Sequence, residues 1–188
     1  MAQGVKQRMV EGAVVLLAKH GLQATSFSDV LAVTGAPRGS VYHHFPEGKE
    51  QLVASAVDLA GGHAIALLDE LEGGSADETA RRFLSMWRSI LERSSFGAGC
   101  AVLAVTVATD SPALLDHAAI VFRDWRRRLA ALLESGGLGR ADADGYAALL
   151  VAASEGAVVL ARAEQSMEPF DLVTEQLLTH LAALPRTR

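Results

Sequence analysis

The chain has 188 residues, of which 50% are hydrophobic, and a formal net charge of −5. That length is sufficient for a full core in one or two compact units. A single cysteine excludes an internal disulfide and favours a reducing, cytoplasmic setting. The longest uncharged stretch, residues 94–109, has sixteen residues and falls short of the roughly 20 that a transmembrane helix needs, so no membrane insertion is predicted.

Charge is unevenly distributed along the chain. Residues 1–50 contain five basic and four acidic residues, a balance of +1, whereas residues 51–188 contain 12 basic and 18 acidic residues, a balance of −6. The total charge argues against loose, charge-driven binding to any nucleic acid. Counterion release depends on local phosphate contacts, however, so a near-neutral amino-terminal segment on an acidic body remains compatible with specific DNA binding.

The first predicted helices lie near the amino end. Val10, Val14 and Leu17 repeat at helical spacing, and Gly21 follows as a stop signal. Ser26 and Asp29 then form an S-x-x-D capping box, which predicts a short second helix beginning near residue 27.

A glycine hinge separates this second helix from a third. Gly35 lies where the chain must leave the second helix, because a residue without Cβ enters the left-handed region at little steric cost. Pro37 suits the first turn of a third helix, in which Val41 and Phe45 share an apolar face. Two short helices joined in this way are typical of a helix-turn-helix reader, and the segment predicts operator binding.

Side chains that lie off this apolar face are candidates for contacts with DNA. Arg38 can donate to O6 and N7 of guanine, and Gly39 removes bulk where a backbone must approach DNA closely. Lys49 opens the next helix and offers a charge to a phosphate. The predicted DNA-binding residues are Thr25, Ser26, Arg38, Gly39, Ser40, Tyr42, His43 and Lys49.

Apolar periodicity continues to the carboxyl end. It predicts helices over residues 49–71, 77–93, 112–134, 142–165 and 169–184, the third of these opened by the pair Ser111-Pro112. Residues 102–107 are β-branched enough for a strand or a helix, and we favour a helix. The predicted fold is all-α with about nine helices: a three-helix DNA-binding domain over residues 1–50 and a helical bundle over residues 51–188.

About a dozen spaced positions in the amino-terminal segment resemble the TetR family of bacterial repressors. They are Thr25-Ser26, Val30, Gly35, Gly39-Ser40-Val41-Tyr42-His43-His44-Phe45, Lys49-Glu50 and Leu52. The sequence departs from the family pattern at Ala36-Pro37, where Val-Ser is more usual, at Thr34, where a small alanine is usual, and at Gly48, which lengthens the gap before Lys49. Further on, a softer likeness to the LmrA/YxaF type is carried by Gly99-Cys100, Phe122 to Trp125, Glu155-Gly156-Ala157 and Arg162-Ala163-Glu164.

The resemblance implies a ligand-responsive repressor that binds a palindromic operator as a dimer and is released by a small, largely apolar effector. Residues 51–188 would then form the helical effector-binding and dimerisation domain. Buried aromatic residues at helical spacing are usually core, so the same residues remain compatible with plain packing. The effector-pocket residues implied by this analogy are Met86, Trp87, Ile90, Phe96, Leu103, Phe122 and Trp125.

Small residues on the eighth predicted helix allow another helix to approach closely, which suggests a two-fold interface with the last helix. Ordinary core packing is the alternative explanation of the same residues. The predicted interface residues are Leu149, Ala152, Ala153, Gly156, Val159, Val173, Leu177 and Leu181.

Other residue patterns argue against further sites. Cys100 suits a thiol sensor or, more often, an inert small hydrophobe. The six histidines show no ligand spacing, so neither a metal nor another cofactor is predicted. A helical enzyme or a passive small-molecule-binding protein remains the alternative to a regulator, although no nucleophile–base pair or carboxylate dyad appears at interpretable spacing.

Overall fold

The computed structural model describes residues 2–187, and for residues 2 and 3 only the backbone. These residues form nine helices and a single isolated β-bridge. The helices are α1 (Ala2–His20), α2 (Phe27–Thr34), α3 (Ser40–His44), α4 (Lys49–Asp69), α5 (Ala76–Arg93), α6 (Ala101–Thr106), α7 (Pro112–Ser135), α8 (Arg140–Glu164) and α9 (Glu168–Ala183). The all-α prediction is confirmed, including the helix favoured over residues 102–107.

Helix ends follow the capping signals in the sequence at most positions. Ser75 caps α5 by accepting the Glu78 N–H at 3.2 Å, and Ser111 accepts the Leu114 N–H at 3.3 Å next to the proline that opens α7. The prediction for α3 was wrong by one turn, because the helix begins at Ser40 and not at Pro37.

The chain divides into two compact units. The first comprises the chain up to residue 63 together with residues 100–121, and the second comprises residues 64–99 together with residue 122 onward. This division differs from the predicted boundary at residue 50, because α6 and the first part of α7 belong to the first unit. A single boundary cannot represent units that are discontinuous in sequence.

Each unit has its own apolar core. In the first, α1 packs on α2 and α6, with Met9, Leu17 and Phe45 almost fully buried. In the second, α8 packs on α9 and both pack on α5, with Leu150 and Phe170 among the largest fully buried side chains. Close burial of this kind is the main source of stability, since apolar area removed from water contributes roughly 25 cal/mol per Å².

Two helices, α4 and α8, are long and apolar enough to cross a membrane by length and composition alone. The expectation of no membrane insertion rested on the absence of an uncharged stretch of roughly 20 residues. The longest uncharged stretch in either helix has ten residues, 59–68 in α4 and 145–154 in α8. Half of the most apolar part of α8 is buried inside the protein, and Glu155 lies in that helix in a buried position. Core helices show this combination, so the composition of α8 does not by itself indicate a membrane span. The most apolar part of α4 is one-third buried, and one or two helices of such length and composition are weak evidence for a membrane protein.

The buried environment of Tyr146 predicts that the protein loses stability in strongly alkaline solution. Its hydroxyl donates to the Leu177 carbonyl at 2.8 Å, and burial, reinforced by the charge of Asp77, raises the pKa of Tyr146 to about 12. The folded protein therefore keeps the proton that the unfolded chain releases near pH 10, so stability is constant below about pH 10 and falls as pH rises to about 12. We expect the free energy of unfolding to drop by about 2 kcal/mol across this window from Tyr146 alone.

Urea unfolding at pH 9, 10, 11 and 12, each compared with Tyr146→Phe, measures this contribution. The variant lacks the titrating proton, so its stability should be lower near neutral pH, where the hydrogen bond is lost, and should decline less between pH 10 and 12. Parallel pH profiles for the two proteins would contradict the assignment.

Candidate nucleic-acid interface

The start of α2 is held by a complete capping box. The Asp29 N–H donates to Ser26 Oγ at 3.2 Å, while the Ser26 hydroxyl and backbone N–H donate to Asp29 Oδ2 at 2.5 and 3.0 Å. These hydrogen bonds, the side-chain one first, hold the pKa of the Asp29 carboxyl below its usual value. Because the Ser26 hydroxyl is committed to this cap, it orients α2 and is not a free donor for DNA.

The hinge between α2 and α3 has the geometry expected of a glycine. Gly35 lies in the left-handed region at φ 64° and its N–H donates to the Leu31 carbonyl at 2.9 Å. A tight turn follows, in which the Ser40 and Val41 N–H groups donate to the Pro37 and Arg38 carbonyls at 3.0 and 3.3 Å. These bonds between residues three apart place Pro37 and Arg38 ahead of α3 and explain its late start.

One face of α3 is buried and the other is open. Val41 is 5% exposed and Phe45 1% exposed, whereas Tyr42 is 83% exposed. Arg38, Gly39 and His43 are also exposed. Of the predicted groove-facing residues of α3 and the turn before it, all but the half-buried Ser40 are therefore exposed.

Besides Ser26, three predicted DNA-binding residues have roles inside the chain. Thr25 is 1% exposed and its hydroxyl donates to the Gly21 carbonyl at 2.8 Å, so its side chain fixes the turn before α2 and does not reach a groove. The Ser40 hydroxyl donates to the Pro37 carbonyl at 2.6 Å. The Lys49 ammonium donates to the Leu22 carbonyl at 2.9 Å, which leaves further N–H donors on that group for a phosphate.

A positive charge close to α3 was not anticipated from the sequence. The Lys6 ammonium lies 5.8 Å from the centroid of the Phe45 ring, so α1 brings a cation to the base of the third helix. Lys6 lies on α1, and its proximity to α3 depends on how the two helices pack, which the sequence does not show.

The residues implied as an effector pocket are not gathered into one described cavity. Trp87 and Trp125 are buried, at 4% and 5% exposure, and the Phe122 and Trp125 rings meet edge to face at 5.4 Å. Met86, Ile90, Phe96 and Phe122 are half-buried in the second unit, and Leu103 is half-buried on α6 in the first.

The second unit contains a shallow groove of about 170 Å³ between α5 and α9. One of the arginines beside it, Arg88, is ion-paired with Asp171 and Glu92 and stacks on Phe170. None of the predicted pocket residues belongs to this groove, whose lining consists of Arg81, Leu84, Ser85, Arg88, Phe170, Thr174 and Leu178.

The predicted interface residues divide between surface and core. Leu149 and Val159 are 42% and 50% exposed, and Ala152 and Gly156 between them are exposed as well. Ala153 and Val173 are half-buried.

Two of the predicted interface residues do not belong to a free surface. Leu177 and Leu181 are 4% and 0% exposed, so both lie in the core of this chain and are corrected here to packing residues. Their helix instead exposes Leu172, at 57%, and α8 also exposes Leu160, at 48%. Apolar spacing identified these faces as helical, but only the packing distinguishes the inner stripe from the outer one.

Residues singled out far apart in the sequence meet in the second unit. Arg162 of α8 donates to the Phe96 and Gly97 carbonyls at 3.3 and 3.4 Å. A Cβ on Gly99 would lie 2.8 Å from Arg162 Nη1. The glycine therefore leaves room for the guanidinium, and the arginine holds the bend in which Phe96 adopts a φ of 60°.

The chain is similar to bacterial regulators over nearly its whole length. Residues 9–56 match the family described as bacterial regulatory proteins, tetR family. Residues 76–176 match the family described as transcriptional regulator LmrA/YxaF-like, C-terminal domain. The first match contains the helix-turn-helix described above, and the second spans α5 to α8 and half of α9.

Relatives and solved structures agree with these matches. An HTH-type transcriptional regulator of Mycobacterium tuberculosis is 38% identical, with 96% of each chain covered, and the regulator YxaF of Bacillus subtilis is 28% identical, with 92% of each covered. The crystal structure of a TetR transcriptional regulator from Chloroflexus aurantiacus is 31% identical with a TM-score of 0.82, covering 100% of this chain and 98% of that one. The chain therefore belongs to the TetR family of transcriptional regulators, in its LmrA/YxaF-like branch.

Proposed function

We propose that this regulator is a homodimeric repressor that binds a roughly palindromic operator and leaves it when a small, largely apolar effector binds the carboxyl-terminal body. The observation that carries the proposal is the open face of α3, where Arg38, Tyr42 and His43 are exposed behind a hinge held by hydrogen bonds. A relative named as a transcriptional repressor, DhaR of a Mycobacterium species, is 26% identical and covers 97% of this chain, which supports repression.

Reading of the operator begins at the amino end of α3. In helix-turn-helix proteins the first residues of the second helix contact base edges. Arg38 and Gly39 lie in the turn that leads into this position, immediately before Ser40, the first residue of α3. The guanidinium of Arg38 suits a bidentate contact with guanine, and the Tyr42 hydroxyl and His43 ring suit donation to phosphates or base edges.

A single copy of α3 offers few contacts, which is the physical reason for a dimer. Two copies related by a two-fold axis span successive major grooves about 34 to 36 Å apart. The proposed dimer face, named here as Leu149, Ala152, Gly156 and Val159, is exposed along one side of α8. A Cβ added to Gly156 meets no atom of this chain within 4 Å, so packing inside the protomer does not require a glycine there.

The proposed effector site includes Trp87. Its indole N–H is buried and has no acceptor among the residues that the structure describes. An unsatisfied buried donor costs free energy, and a ligand carrying a carbonyl, ether or carboxylate oxygen would satisfy it. An effector weakens operator binding only as far as it prefers the conformation that binds DNA poorly, and the coupling is reciprocal.

Replacement of Arg38 tests whether this residue recognises the operator. Genomic fragments are first selected on the wild-type protein, and the best fragment is then titrated with wild type and with Arg38→Ala at fixed salt. Loss of one bidentate guanine contact is expected to weaken specific binding by about 1 to 3 kcal/mol while leaving binding to unrelated duplex nearly unchanged.

The matched control is Arg126→Ala, which removes the same charge from an exposed position on α7. If both arginine variants lose affinity equally, the effect is general electrostatics and Arg38 does not read the operator. Failure of the wild-type protein to retain any fragment above random duplex would contradict operator binding itself.

A further inference from the structure

Thr34, the last residue of α2, bridges both sides of the Gly35 hinge through its hydroxyl. This hydroxyl donates to the Val30 carbonyl at 2.6 Å and accepts the Ala36 N–H at 3.4 Å. Ala36 is 8% exposed, so its N–H has little access to water. The Thr34 side chain thus connects the end of α2 to the first residues of the segment that leads into α3.

The methyl group of the same side chain lies against α1 at Gly12. A Cβ added to Gly12 would overlap Thr34 Cγ2 and would lie 3.3 Å from Val33 Cγ2. The two hydrogen bonds of the hydroxyl hold χ1 of Thr34, so the methyl cannot rotate away without breaking them. Gly12 is therefore the position on α1 that makes room for a threonine at the hinge.

The helix in which each of these two residues lies does not explain why that residue type stands there. Gly12 lies in the interior of α1 with an ordinary helical backbone, where glycine is less favourable than alanine. Thr34 stands where the TetR family pattern more usually has a small alanine. The combination of a smaller residue on α1 and a larger one on α2 keeps the two helices in close contact.

We infer that Gly12 and Thr34 form a paired steric contact that positions the hinge, and with it α3, relative to α1. Only residues 35–39 separate α2 from α3, and α3 itself has five residues with one buried face. A shift of Thr34 therefore moves the start of α3 directly. A recognition surface loses contacts when its supporting residues move by about 0.5 Å or more.

A double-mutant cycle tests the contact. Gly12→Ala is made in the wild-type background and in the Thr34→Ser background, because serine keeps the hydroxyl and removes the methyl that alanine would strike. This test rests on the proposed operator binding for one of its two readouts, the dissociation constant for the selected fragment. The other readout, hydrogen exchange at the Ala36 and Phe45 amides, needs no DNA.

We expect Gly12→Ala to weaken operator binding about tenfold in the wild-type background and by less than about threefold in the Thr34→Ser background. Exchange at the Ala36 amide, which donates to Thr34, and at the Phe45 amide, which closes α3, should accelerate in the first background and not in the second. Gly4→Ala is the matched control on α1, because a Cβ at Gly4 meets no atom within 4 Å. Affinity is measured well below the unfolding midpoint of each variant, so that a change in folded fraction does not enter.

Equal losses of affinity in the two backgrounds would overturn the inference, since the methyl of Thr34 would then play no part. Faster exchange with unchanged affinity would also overturn the inference, because the contact would then stabilise the hinge without positioning α3 for DNA. If the wild-type protein binds no fragment, the proposed operator fails, and the exchange cycle alone decides the inference: no coupling at the Ala36 and Phe45 amides overturns it.

Discussion

Replacing Leu149 and Val159 together with glutamate is expected to convert the proposed dimer into a monomer and to weaken the proposed operator binding by about a hundredfold or more. Both side chains are exposed on the proposed dimer face of α8. Two carboxylates there would have to lose water without a partner when two copies associate, and their counterparts on the second copy would repel them. A monomer then binds each half-site separately, without the gain from linkage.

Sedimentation velocity gives the mass in solution, and titration of the selected operator gives the affinity. The control carries glutamate at Leu67 and Ile120, which are 45% and 52% exposed on α4 and α7 and lie outside the proposed dimer face. It adds the same charge and should remain dimeric. A dimer that survives the change at Leu149 and Val159 would show that another surface joins the two copies.

Replacing Gly136 with alanine is expected to cost about 1 to 3 kcal/mol of stability, the range typical of overpacking at a site that cannot relax. A Cβ at this position would overlap the Ala76 nitrogen and lie 2.7 Å from the Ser75 carbonyl carbon, both backbone atoms. The Gly136 carbonyl accepts the Ala76 N–H at 3.0 Å. The added carbon therefore forces apart two chain segments that a hydrogen bond holds together.

Urea unfolding near neutral pH measures this effect, with Gly145→Ala as the comparison. Gly145 is exposed in α8 and a Cβ there meets nothing within 4 Å, so alanine should raise stability by up to about 1 kcal/mol through helix propensity. Opposite signs for the two substitutions are the expected result. A neutral Gly136→Ala would mean that the α7–α8 turn and the start of α5 separate freely.

Much of the local structure is written in short-range signals. The capping box of Ser26 and Asp29, the left-handed Gly35 and the Ser111-Pro112 start of α7 each act within four residues, so the sequence predicts them directly. The predicted start of α3 was wrong, and its cause is also local. Pro37 is compatible with a first helical turn, but two hydrogen bonds between residues three apart form a separate turn there.

Some features of the candidate site could likewise be predicted from the sequence, and others could not. Residue types and spacing identified the exposed surface around Arg38 and Tyr42, because a helix of known phase has a known outer face. The Ser26 hydroxyl belongs to the capping box that the sequence predicts, so its assignment as a DNA contact conflicted with that prediction. Burial of Thr25 could not be read in advance, since it depends on atoms supplied by neighbouring turns.

What the sequence determined by itself was the helical class, most of the helix ends and the family, because these depend on patterns that extend over a few residues. Only the tertiary structure decided which apolar stripe of α9 faces inward, so that Leu177 is core while Leu172 is surface. It also decided which distant residues meet, such as Gly12 with Thr34 and Gly99 with Arg162. Contacts between helices depend on crossing angle and depth of packing, which no periodicity along one helix encodes.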